Sequence, residues 1–214
     1  QGRIPAPQWH RYTANEDAVR RAGGTLLRPE DVIGVDAVFD ERPWPNVSAE
    51  ALPHEAGLCL VMALATRDIV LRVPVDVVAV WRQHRQALWQ RERGGQLFAE
   101  VAASGDLVLV SATPPHPSDR SSWGWLELDA ARCQAEVTDA NRVGRRLVGT
   151  WHTHPQRVPY LSPTDRETLT ASARINEGVL PASLAVIVGY GAGDVSIRAW
   201  RVDASSAEEG LVSS

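Results

Sequence analysis

From residue 57 onward, short apolar runs and amphipathic segments follow one another in an order that excludes most α/β architectures. Residues 57–66 and 69–73 are runs of strand length, rich in Leu, Val and Ile. Residues 74–91 read as a helix opened by proline. Val77, Val80, Trp81, His84, Leu88 and Trp89 fall near one face, with Arg82, Gln83, Arg85 and Gln86 opposite. Gly94 and Gly95 break that helix, and residues 96–101 and 107–111 read as a strand pair turned at Ser104-Gly105-Asp106. Residues 129–144 are helical in pattern and 145–153 form a strand. A further helix runs from Ser162 to about Asn176, stopped by Gly178 and Pro181, and 184–190 and 195–202 are two final strands. Strand, helix, strand pair, helix, strand, helix, strand pair is a mixed α/β order. It lacks the strict alternation of a doubly wound parallel sheet, and it contains neither an internal repeat nor a glycine-rich phosphate loop.

Composition narrows the function classes. With 44% hydrophobic and 22% charged residues among 214, the chain has the apolar mass for a core. Its longest apolar run, residues 57–65, is less than half of what a bilayer-spanning helix requires, and no signal peptide opens it. A net charge of −4 gives no basic footprint for nucleic acid. Two cysteines, Cys59 and Cys133, cannot build a disulfide framework or a four-cysteine zinc site, so a reducing, cytoplasmic compartment is expected.

Residues 1–66 have a different texture. Pro5, Pro7, Pro29, Pro43, Pro45 and Pro53 punctuate them, leaving room for one short helix over 15–22 and a few apolar residues able to pack on something: Trp9, Val35, Val38, Phe39 and Trp44. This stretch is expected to be an N-terminal extension or the remnant of an upstream domain, residues 67–203 the main domain, and 204–214 a flexible acidic tail. The chain opens at Gln1 without a methionine, which reads as a fragment or processed product with something upstream.

The chemistry is concentrated in Trp151-His152-Thr153-His154-Pro155 and in Leu161-Ser162-Pro163-Thr164-Asp165, with six residues between Pro155 and Ser162. Histidines two apart on a strand point to one face, so both imidazoles can reach one ion. Pro155 ends the strand, and the loop can fold back to present a carboxylate from the next helix. Two imidazoles and one carboxylate are a common ligand set for catalytic zinc, with the fourth position left to water. A site of this kind also needs a proton carrier that is not a ligand. Glu92 and Glu100 are both candidates, and spacing alone does not choose between them. Ser162 and Asp165 also suit a helix start, as N-cap and as an acid in the first turn.

Glu92-Arg93-Gly94-Gly95-Gln96-Leu97, His152-Thr153-His154-Pro155 and Ser162-Pro163-Thr164-Asp165 together resemble the three parts of the JAMM motif of MPN-domain metalloproteases. The resemblance covers about residues 67–203. It implies a cytidine-deaminase-like MPN fold, a mixed central sheet flanked by helices, here with the Pro-rich N-terminal extension. It implies one catalytic Zn2+ held by His152, His154 and Asp165, with Glu92 as the proton carrier and Ser162 supporting the water and the developing oxyanion. Members that serve only as scaffolds lack several of these residues, whereas all are present here, so an active peptidase is expected.

In that family the amide usually follows the C-terminal glycine of ubiquitin or a ubiquitin-like protein. The expected role is therefore deconjugation or processing of a ubiquitin-like modifier, of the kind encoded in bacterial anti-phage conjugation operons, with an activating-enzyme-like protein as fusion or partner. A sulfur-carrier-protein peptidase, a phage-tail cell-wall peptidase and a zinc-bound scaffold are the rival readings. All 22 basic residues are arginine and the eight tryptophans outnumber tyrosine and phenylalanine together, which reads as the bias of a GC-rich bacterial genome.

Other signals are weaker. His10, His54, His84 and His116 are isolated and read as surface or core histidines, and His116-Pro-Ser-Asp119 as a chance echo of the site. Residues 113–125 read as a long surface loop in which at least one of Trp123 and Trp125 serves the core. Trp151 and Tyr160 either wall a groove or pack. Arg145 and Arg146 read as a solvated face.

Overall fold

The computed structural model describes residues 56–63, 68–101, 107–175 and 182–213. The helix read over 15–22, the apolar residues Trp9, Val35, Val38, Phe39 and Trp44, His10, His54, the 104–106 turn and the stop at Gly178 and Pro181 lie outside them. Among the described residues the order is β1 (Ala56–Ala63), β2 (Asp68–Pro74), α1 (Val75–Gln83), β3 (Gly94–Val101), β4 (Leu107–Ala112), β5 (Arg120–Ser122), β6 (Trp125–Glu127), α2 (Ala130–Arg142), β7 (Arg146–Thr153), α3 (Pro163–Ile175), β8 (Ala182–Val188), β9 (Ile197–Asp203), β10 (Ala207–Glu209) and β11 (Leu211–Ser213). No helix among these residues is long and apolar enough to cross a membrane.

Among the described residues, nine strands form one mixed sheet in the order β10-β9-β8-β7-β3-β4-β2-β1-β11, while β5 and β6 make a separate hairpin. β2 runs parallel to β4 and β7 parallel to β8; the other pairs are antiparallel. Only Gly210 separates β10 from β11, yet they stand at opposite ends of that order. A one-residue link spans no more than about 7 Å, so the two edges must meet, and the sheet curls on itself.

Side-chain alternation sorts the layers. Leu184, Val186 and Val188 face a central core into which α1 inserts Val77, Val78 and the fully buried Trp81. The intervening Ala185 and Ile187 face outward, where Leu169 of α3 covers them with Trp200 and Val202. On the same outer side α2 lays Val137 over Phe98 and Leu147. Helices therefore flank both faces, as the resemblance implies.

Several elements depart from the sequence expectation. The first helix ends at Gln83 instead of Arg91. Beyond Trp81 it has no further core anchor, Gln86 finds three polar partners outside a helix, and Trp89 takes φ 73°, which no α-helix admits. Leu88 and Trp89 are consequently exposed rather than on a buried face. The 113–125 loop contains half of the β5–β6 hairpin; Trp123 is exposed and Trp125 half-buried, so neither joins the core.

The final strands start and end differently from the reading, β8 two residues earlier, with a 3₁₀ turn at Asp194–Ser196 before β9. β1 lies within the stretch assigned to the extension, yet pairs along its length with β2. Residues 205–213, expected to fray, instead carry two short strands. The Asp203 carboxylate accepts Ser205 N–H at 2.8 Å and Ser206 N–H at 2.7 Å, turning the chain so that β10 pairs with β9 and β11 with β1.

Candidate metal centre

β7 and β8 are parallel and joined through α3, so the end of β7 and the start of α3 come together beyond the C-terminal ends of these two strands, the usual place for a site in such a unit. His152 is in β7, paired with Gly94, and His154 continues the ladder one residue further, donating its N–H to Val188 O at 3.0 Å. The loop then returns over β8. Gln156 O accepts Tyr190 N–H at 2.8 Å and Arg157 O accepts Gly191 N–H at 3.2 Å, and this zipper delivers Ser162 and Asp165.

At the start of α3 the side chains form a reciprocal cap. Ser162 Oγ accepts Asp165 N–H at 3.1 Å, and Asp165 Oδ2 accepts Ser162 N–H at 3.0 Å and the Ser162 hydroxyl at 2.5 Å. The same carboxylate faces both histidines: Oδ2 is 3.2 Å from His154 Nε2 and Oδ1 is 3.6 Å from His152 Nε2. The two Nε2 atoms are 3.1 Å apart. Tetrahedral zinc with bonds near 2.0–2.1 Å holds its ligand atoms about 3.3 Å from one another. The three donors His152, His154 and Asp165 thus already stand at the mutual spacing a single small cation needs, and they fit the group.

The electrostatics are those of a cation site. Burial, aided by the neighbouring His154 charge, pushes the His152 imidazole down to about 4, so it is neutral and able to ligate near pH 7. Burial works against ionising Asp165, but the His154 hydrogen bond, the charges of both histidines and the Ser162 hydroxyl hold its carboxyl well below the usual range. For His154, burial is outweighed by the Asp165 hydrogen bond and the charges of Asp165 and Glu92, and its pKa is raised. The carboxylates favour a positive charge at that Nε2, for which a proton and a metal ion compete. His154 Nδ1 is buried and makes no well-aligned hydrogen bond. Gln156 stands close enough to favour the charged ring, but its side-chain oxygen already accepts Tyr160 N–H at 3.1 Å.

Glu92 and Glu100 separate clearly. Glu92 Oε1 lies 4.0 Å from His154 Nε2 in a buried position. Burial pushes its carboxyl up to about 8, with His154 opposing and Asp165 adding to the rise. Glu100 is paired with Arg145 at 2.8 Å, which also removes Arg145 from a purely solvated face. The two glycines after Glu92 are required by close approach. A Cβ on Gly94 would stand 2.3 Å from Trp151 O, and one on Gly95 2.1 Å from Thr113 O.

The remaining signals fall away from the cluster. His116 is bound up in a local turn, with its N–H on Asp119 Oδ2 at 2.8 Å. His84 is half-buried, with its ring centroid 6.5 Å from that of Trp151. Trp151 is fully buried and packs, donating Nε1–H to Thr113 O at 3.0 Å, while Tyr160 is exposed.

Sequence reasoning missed the supports of Glu92. Its N–H is held by Ser122 O of the β5–β6 hairpin at 2.7 Å, and Arg93 exchanges two hydrogen bonds with Thr153. The buried Gln86, assigned to the polar face of a helix, holds this junction. The signal that could have exposed it was a glutamine close after the last apolar anchor of its segment, in a stretch with no helix stop other than the distant glycines.

A curled mixed sheet carrying a His-x-His strand end against an acid-capped helix defines an α/β domain with a three-residue group that could hold one cation. The model of the family described as prokaryotic homologs of the JAB domain matches residues 74–203, and the chain belongs to that family. Among solved structures, the solution structure of protein DSY2949 from Desulfitobacterium hafniense is similar at 18% identity, covering 64% of this chain and 87% of that one with a TM-score of 0.48. The solution structure of a Salinibacter ruber (strain DSM 13855) protein is similar at 21% identity, covering 64% and 85%, with a TM-score of 0.39. No curated protein matches this chain.

Proposed function

We propose that this domain is a zinc-dependent peptidase that hydrolyses the amide bond after the C-terminus of a ubiquitin-like modifier. The observation that carries the reading is the convergence of His152, His154 and Asp165 at zinc-ligand spacing, with the buried Glu92 carboxyl 4.0 Å from one of them. A bound Zn2+ would be held by those three residues and would supply Lewis-acid polarisation of the scissile carbonyl and a water of lowered pKa.

The chain's own groups do the rest. Glu92 accepts the proton of the attacking water and delivers it to the departing nitrogen. Ser162 orients Asp165 through the cap, and its hydroxyl proton, which lies toward Asp165 Oδ2, is the one it would turn to a developing oxyanion. The modifier as substrate, an activating-enzyme-like partner and a cytoplasmic, anti-phage setting are carried by the motif resemblance and belong to the same proposal.

The test uses the full 214-residue chain loaded with zinc and ubiquitin bearing a C-terminal aminocoumarin amide, with a sulfur-carrier-protein fusion and a peptidoglycan stem peptide as comparison substrates. Cleavage of the ubiquitin amide, lost by roughly 10²–10⁴-fold in Glu92→Gln at unchanged zinc content, is expected. Cleavage of the stem peptide alone overturns the substrate class. A Glu92→Gln variant as fast as the parent overturns the proton carrier, and His154→Ala with stoichiometric zinc overturns the ligand set.

A further inference from the structure

We infer that Gln86 is a positioning residue for Glu92, an inference that rests on the role just proposed for that carboxyl. Gln86 is completely buried, and its amide is fully used. Nε2 donates to Gln90 O at 2.7 Å and to Trp123 O at 3.0 Å, and Oε1 accepts the Thr153 hydroxyl at 3.2 Å. Two carbonyls facing one end of the amide leave no choice about which end is nitrogen.

Those three partners belong to the three segments that meet at Glu92. Gln90 lies two residues before it, in the turn that follows α1. Trp123 follows Ser122, whose carbonyl holds the Glu92 N–H at 2.7 Å. Thr153 separates the two histidines, and its side chain and backbone grip the residue after Glu92: Arg93 N–H donates to Thr153 Oγ1 at 3.0 Å and Arg93 O accepts Thr153 N–H at 2.8 Å. Because the Thr153 proton is committed to Gln86 Oε1, the lone pair of that hydroxyl is left facing Arg93 N–H. One side chain therefore fixes the approach of the Glu92 segment from the loop, from the hairpin and from the ligand strand. Although His152 also pairs with Gly94, the histidines and Asp165 have bonds outside this set, namely the β7–β8 pairing, the His154 N–H on Val188 O and the α3 cap.

The separation of these two sets of bonds gives a specific expectation. Gln86→Met keeps the length and bulk and removes all three hydrogen bonds, and Thr153→Val removes the shared hydroxyl. In both, the amide protons of Glu92 and Arg93 exchange with solvent about tenfold faster or more, while those of Val148 and Val186 are unchanged. Zinc affinity stays within about twofold of the parent. On ubiquitin aminocoumarin, kcat falls about 10–100-fold with KM within twofold, since a displacement of about 1 Å at a reacting group costs this much. Thr153→Ser, which keeps the hydroxyl, restores both exchange and kcat, and Gln86→Met with Thr153→Val costs less than the two single losses multiplied.

Unchanged exchange at Glu92 and Arg93, equal acceleration throughout the sheet, or zinc affinity falling in step with kcat would overturn the inference. If the parent cleaves none of the substrates, the peptidase reading fails while the exchange measurement still decides the role of Gln86.

Discussion

The buried Glu92 carboxyl gives the metal-free protein a pH dependence that can be isolated by one substitution. Its pKa rises from an ordinary 4.5 to about 8, chiefly through burial. A carboxyl with a raised folded-state pKa binds its proton more tightly in the fold than in the unfolded chain. Its favourable contribution is complete below pH 4.5, declines as pH rises through the window from 4.5 to 8, and is absent above it. The full span corresponds to roughly 4–5 kcal/mol, and the small exposure of the side chain, 7%, leaves little solvent screening to discount.

Other groups of the cluster titrate as well, His152 with the opposite sign below pH 6.5. The difference between parent and Glu92→Gln, each freed of metal by chelator, removes most of that background, because glutamine keeps the shape and cannot ionise. Urea unfolding at pH 5, 6, 7, 8 and 9 should show the variant gaining on the parent by about 3–5 kcal/mol across the series, with most of the change between pH 5 and 8. A stability difference that is the same at pH 5 and pH 9 would mean that Glu92 is not buried against the histidines in solution, and the geometry assigned to it would be wrong.

Three further outcomes follow from the same structure. Zinc should bind at one equivalent, and at a free concentration 100 times its Kd should stabilise the fold by about 2.7 kcal/mol, read as a rise in melting temperature of roughly 5–10 °C; a similar rise in His154→Ala would count against the centre. Gly95→Ala places a methyl 2.1 Å from Thr113 O and should cost roughly 1–3 kcal/mol in chemical denaturation, so a variant as stable as the parent would refute the close approach. The Asp203 carboxyl is held below its ordinary 3.8, burial being outweighed by the Ser205 N–H and hydroxyl, Arg201 and the Ser206 N–H. Its contribution is present above that value and lost as pH falls through the lower folded-state range, so both acidification and Asp203→Ala at pH 7 should lower the protection of the Ala207–Glu209 amides relative to their intrinsic exchange rate at the same pH, and protection unchanged by either would sink the turn's role.

What could be read in advance depended on whether local chemistry and tertiary placement pointed the same way. α2 and α3 were legible because their starts are decided within a few residues: Asp129 accepts Arg132 N–H at 2.7 Å, and Ser162 and Asp165 cap each other. That His152, His154 and Asp165 come together was legible because period two on a strand and one helix start are local rules. α1 overran because Leu88 and Trp89 keep helical spacing, while the bonds that unwind the segment run from Gln86 to residues 37 and 67 positions away. β10 and β11 were invisible because they add to sheet edges through backbone pairing and bury little of their own side chains. The β5–β6 hairpin was masked by a polar, proline-flanked composition whose structural role is to offer carbonyls, which no side-chain pattern advertises.

Ser162 and Asp165 show why a capping reading and a ligand reading of the same residues need not compete. A first-turn acid sits near the positive end of the helix dipole, which favours its anionic form. The cap adds two donors to Asp165 Oδ2, and the pKa of the carboxyl falls below the ordinary range. A metal ligand must be deprotonated before it binds, so the interactions that start α3 would also prepare its carboxylate for a cation. Geometry agrees with energetics: the cap engages Oδ2 from the helix side, and Oδ1 remains directed at His152 Nε2, 3.6 Å away. The rotamer that closes the helix end is thus the one that aims the carboxylate at the histidines. Moving the acid one position along the helix would lose the cap and the aim together, and for that reason Ser-x-x-Asp six residues after His-x-His-Pro carries more information than its four residue types alone.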